Sequence, residues 1–209
     1  MRCSPLTRII PAAVAAIVSW PALAAQGGDP DWPCIQRKVP ELSLGQVWTG
    51  AALPQTAAGW SKDAAISHLV TELAARRVPL PEAQQKIREY GDSLPEAEKE
   101  RRMTMLVQGL FDHMNRERSV VIAGIARYAH AQRDMAAFLR QEASAVDALR
   151  AKPAADPNEL ARRNDRLMFQ TRVFQERAQS LSFVCEVPTL IEQRLYALVK
   201  SIAQTLGDR

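Results

Sequence analysis

Residues 93–152 read SLPEAEKERRMTMLVQGLFDHMNRERSVVIAGIARYAHAQRDMAAFLRQEASAVDALRAK, with no proline between Glu96 and Lys152. Counted by sevens, Val107, Met114, Val121, Tyr128, Met135, Glu142 and Leu149 form one set. Phe111, Arg118, Ile125, Gln132, Leu139 and Val146 form a second, four residues on. All but Arg118, Gln132 and Glu142 are apolar. A repeat of about 3.5 residues held over about six heptads predicts a left-handed, coiled-coil-like hairpin or bundle. The polar interruptions weaken the seam, and Gly124 is a place where another helix is expected to approach.

The boundaries of this stretch are equally readable. Ser93 and Glu96 have capping-box spacing with Pro95 early in the first turn, which predicts the helix start. Lys152-Pro-Ala-Ala-Asp-Pro is a loop, and Asp156-Pro157-Asn158-Glu159 a second cap. The helix opening there repeats the pattern with Leu160, Leu167, Phe174 and Leu181, and with Asn164, Thr171, Ala178 and Cys185 four residues on. A short loop between two such helices requires an antiparallel hairpin. Val187-Pro188 predicts a break or a kink, then a last helix carrying Ile191, Leu195, Leu198, Val199, Ile202 and Leu206 to Gly207. Upstream, Ile66, Leu69, Val70 and Leu73 mark an amphipathic helix from Ser61 to about Arg77, and a shorter one runs from Pro81 to about Tyr90-Gly91.

Residues 26–60 are different. Pro30, Pro33, Pro40 and Pro54 forbid a long helix, yet Trp32, Ile35, Val39, Leu42, Leu44, Val47, Trp48 and Trp60 are too apolar for a solvated linker. This segment is read as an extended arm laid on a helical body over 61–209. The expected fold is therefore all-α: an elongated antiparallel bundle with a long heptad-bearing hairpin and an N-terminal arm.

Residues 1–25 have the grammar of an export signal: Arg2 and Arg8, an apolar run from Ile9 to Trp20, and Ala22-Leu23-Ala24 as cleavage site. Its removal lowers the formal charge from +4 to about +2, and the sequence has no second apolar run of about 18 residues. A protein with no stable membrane insertion after cleavage, located in the periplasm, is expected. The cysteines left after cleavage, Cys34 and Cys185, are expected to pair, because exported thiols oxidise and Cys185 falls on the inward seam. Their separation excludes a C-x-x-C redox motif.

Charges of both signs are interspersed and no basic stripe carries interleaved aromatics, which argues against a nucleic-acid partner. The chain has no G-x-S-x-G, no phosphate loop, no HExxH and no Cys/His metal spacing. No cofactor is implied. The leading functional expectation is a non-catalytic binding or scaffold protein that engages a protein partner or a second copy of itself. A groove between arm and bundle, with Trp32, Trp48 and Trp60, is its candidate site. The alternative is a copper-type metal-responsive protein using Met103, Met105, His113 and Met114, since thioethers suit Cu(I). A third reading is an enzyme whose site is assembled between helices around His68 or His130.

Overall fold

The computed structural model describes residues 29 and 31–207. The predicted signal segment and the first arm residues lie outside the described residues. The fold is all-α. Short 3-10 turns at Leu44–Gln46 and Gln55–Lys62 precede α1 (Ala64–Ala74), α2 (Leu80–Ser93), α3 (Glu96–Arg150) and α4 (Pro157–Gly207). With a rise of about 1.5 Å per residue, α3 at 55 residues and α4 at 51 residues are about 80 Å long.

One end of this pair is a packed head. Ile66, Val70 and Leu73 from α1, Ala83 and Ile87 from α2, Met103, Leu106 and Leu110 from α3, and Ile191, Leu195 and Leu198 from α4 form one buried cluster. Close approaches tighten it. A Cβ on Gly109 would lie 2.6 Å from Val70 Cγ2 and 3.0 Å from the Trp60 ring, so only glycine lets α3 meet α1 and the arm there.

Local chemistry sets the helix ends. Asp63 caps α1, its carboxylate accepting from the Ile66 amide at 3.1 Å. At the other end Arg194 of α4 donates Nε and Nη2 to the Leu73 carbonyl at 3.0 and 2.7 Å. That satisfies a carbonyl which a helix terminus leaves free. The helix is shorter than Ser61–Arg77 because Ser61 and Lys62 wind into the preceding 3-10 turn and residues 76–78 turn ahead of Pro79. Asp156 caps α4 as expected, accepting from the Asn158 amide at 2.9 Å.

Three expectations are corrected. Ser93 does not form a capping box: it is the last residue of α2, and its hydroxyl donates to the Tyr90 carbonyl at 2.7 Å. Only Leu94 and Pro95 separate α2 from α3, so Ser93 is absorbed into the earlier helix. Pro188 does not end a helix; α4 runs through it. Proline removes the helical donor for the Val184 carbonyl and costs about 3 kcal/mol. Buried Cys185 below it, and Ile191 and Leu195 above it, hold the axis. Among the described residues Gly124 meets no other helix; a Cβ there would find only Arg127 of its own helix, at 3.9 Å.

The seam is as read. Every heptad position from Val107 to Leu149 is buried or half-buried, and so are Leu160, Asn164, Leu167, Thr171, Phe174, Leu181 and Cys185; Ala178 is exposed. The antiparallel register is fixed by Arg150 to Asn164 at 3.2 Å, by Tyr128 to the Arg177 carbonyl at 3.4 Å, and by Arg118 to Glu192 at 2.5 Å. Past the head, buried residues on α3 thin to Leu139 and Val146, and α4 has none between Pro157 and Val184. There the two helices form a stalk.

Candidate functional site

The arm runs antiparallel to α3. Asp31 pairs with Arg133 and, at 3.3 Å, with His130. Cys34 bonds Cys185, with Cα atoms 5.5 Å apart. Pro40 offers its carbonyl to Arg118 at 3.3 Å and Ser119 at 3.2 Å, and the Leu42 amide donates to Asn115 at 3.1 Å. Val47 then enters the core. The arm is thus fastened along the seam from the base of the stalk to the head, by one covalent bond and a row of polar contacts.

The tryptophans do not converge. Trp32 donates Nε1 to the Gln36 carbonyl at 2.6 Å, with the Lys38 ammonium 5.9 Å from its ring. Trp60 donates to Asp112 at 2.9 Å and packs on Gly109. Trp48 donates to the Ala51 carbonyl at 2.7 Å and lines a cleft. That cleft, about 350 Å³, lies between the arm's turn and the end of α4, walled by Trp48, Pro54, Ala203 and Leu206 with Glu100 beside them. Among the described residues, Glu100 is the one ionisable side chain in its lining, and they assemble no acid–base pair there.

The histidines are dispersed. His68 is exposed on α1 and His113 is half-buried on α3. His130 stands between Asp31 and Asp134, the latter at 3.6 Å, as part of the arm's fastening. Met103 and Met114 are fully buried and Met105 nearly so, all within the head core. Among the described residues no group of three or more His, Cys, Asp or Glu side chains is placed to hold a metal ion.

In the head, two carboxylates are held below their ordinary range by what they bind. Asp63 is lowered first by the Ile66 amide and then by Arg102, whose Nη1 lies 3.1 Å away. Glu72 is lowered by its hydrogen bond from Lys86. Burial lowers the Arg194 guanidinium. All three groups hold elements of the head together.

The most exposed apolar surface lies elsewhere. On α4, Phe169 is 58% and Phe183 74% exposed, with Met168 and Val184 beside them at 64% and 42%, and Leu190 at 49%. Phe169, Glu176, Phe183 and Leu190 are seven residues apart, so they form a stripe on the side of α4 opposite Leu167, Phe174 and Leu181. A soluble helix normally exposes a polar back; α4 has apolar residues on two sides. Sequence reading overlooked this stripe. It was findable: once Leu160, Leu167, Phe174 and Leu181 are assigned to the seam, Phe169 and Phe183 are left over on the opposite side with the same period.

No helix among the described residues is long and apolar enough to cross a membrane. Compared with protein-family models, with curated proteins and with solved structures, the chain matches none of them.

Proposed function

We propose that this is a non-catalytic, exported binding or scaffold protein that works in the periplasm and engages a protein partner through its stalk. The observation that carries this reading is the outward stripe of Phe169, Phe183 and Leu190 on α4. Two aromatic rings held in water on a helix already packed along its other side are placed for contact with something else. A heptad-spaced apolar stripe suits another helix. The export signal read in residues 1–25 and the Cys34–Cys185 bond support an oxidising compartment. The seam's sustained period supports left-handed supercoiling of the hairpin.

A photoreactive amino acid at position 183 or 169, in cells producing the protein, tests the reading. A protein adduct is expected from both positions and not from position 140, an exposed site on α3 outside the stripe. Adducts absent from both stripe positions would contradict it.

A further inference from the structure

From Phe169 to Phe183 the outward stripe of α4 is symmetric in sequence; Leu190 lies beyond that stretch, and its counterpart is Arg162. Phe169 and Phe183 stand seven residues to either side of Glu176, about 10 Å along the axis in each direction. Met168 and Val184 widen the strip at its two ends. Arg172, one turn before Glu176, leans over Phe169 with its guanidinium carbon 5.7 Å from the ring centroid. We infer that the occupant of this stripe is the same stripe of a second copy, packed antiparallel about a two-fold axis that passes by Glu176. The inference rests on the reading above that the stripe is a protein contact.

Self-complementarity is what an isologous interface demands, since a residue i that meets residue j must also be met by j. Antiparallel pairing centred on Glu176 sets Phe169 against the second copy's Phe183, and repeats that contact on the other side of the axis. Aromatic pairs of this kind favour offset or edge-to-face contact. Near the axis the two Glu176 carboxylates come close, which alone would repel. The second copy's Arg172 is one turn away from each of them and long enough to reach it, which gives two charge-assisted pairs. A parallel pairing would bring the two Glu176 carboxylates together as well and would add a second like-charge contact, each Arg172 beside another Arg172, which the antiparallel arrangement keeps about 12 Å apart along the axis.

The area is consistent with a reversible dimer. A phenylalanine covers about 150–250 Å² when buried. Scaled by the observed exposures, the four rings give roughly 400–650 Å². Met168, Val184 and the Arg172 stem bring the contact toward the lower limit for specific interfaces, about 1,200 Å².

Cysteine crosslinking of the purified protein tests the arrangement. Glu176→Cys lies on the axis and is expected to form a disulfide with its own copy under mild oxidation. Phe169→Cys is expected to link to Phe183→Cys when the two variants are mixed, and neither is expected to link efficiently to itself. Far-ultraviolet circular dichroism spectra should match the parent, since all three positions are exposed on the single chain. Efficient self-crosslinking of Phe169→Cys and of Phe183→Cys would mean parallel pairing and overturn the inference. Failure of every crosslink would also overturn it. If the photoreactive probe at 183 still captured a different protein, that result would leave the partner-binding reading standing while the self-pairing fell.

Discussion

At the scale of single residues, the head depends on a few contacts that nothing else replaces. Asp63 serves two partners, the Ile66 amide and Arg102, and Arg102 in turn donates to the Tyr90 hydroxyl at 2.9 Å. Asp63→Ala is expected to lower stability by about 1 kcal/mol, the usual cost of a lost cap, measured by urea unfolding. Because the Asp63 carboxyl is held below its ordinary range, its contribution is complete above about pH 4, the unfolded aspartate value. It is lost as pH falls through the lower folded value. Asp63→Asn keeps an acceptor at the cap and should flatten that part of the acid unfolding profile. Gly109→Ala places a methyl 2.6 Å from Val70 and 3.0 Å from Trp60; a loss of about 1–3 kcal/mol is expected in the same assay. Gly109 gave no signal in the sequence. A glycine inside a helix is only a weak breaker until one knows what approaches it.

At the scale of elements, the heptads were legible and the helix junctions were not. Some forty residues of regular spacing, from Val107 to Leu149, carry redundant information, so a few polar substitutions at Arg118, Gln132 or Glu142 leave the period readable. A junction rests on two or three residues, and tertiary packing overrides it. Ser93 had capping chemistry but belonged to the preceding helix, and Pro188 had breaker chemistry but lay where packing on both sides kept α4 continuous. The polar seam positions differ among themselves. Arg118 is almost fully buried but bound by Glu192 and by the Pro40 carbonyl. Gln132 is buried, and its carboxamide oxygen has no hydrogen-bond partner among the described residues. An unsatisfied buried acceptor costs about 1–3 kcal/mol, so Gln132→Leu is expected to stabilise the protein, raising its urea midpoint by an amount equivalent to about 1 kcal/mol. A lower midpoint would show that the glutamine holds the register.

At the scale of the whole molecule, the disulfide closes a span of 151 residues and joins the arm to α4 three residues before Pro188. The chain-entropy model gives such a crosslink about 5 kcal/mol. Cys34→Ser with Cys185→Ser is expected to lose about 3–5 kcal/mol and to make the arm, rather than the helices, the first site of limited proteolysis. This covalent constraint was readable from two cysteines and the expectation of export. The interaction surface was not, because an apolar residue off a seam has no meaning until the other faces of its helix are occupied. Among the described residues, head, arm and seam together leave the outward stripe of α4 exposed as an apolar feature. Sedimentation equilibrium of the parent and of the Phe169→Glu/Phe183→Glu variant tests that feature most directly. The parent is predicted to sediment at twice the chain mass with concentration-dependent dissociation, and the variant at the single-chain mass with unchanged helicity. A parent that stays at the single-chain mass at every concentration would contradict the self-pairing of α4.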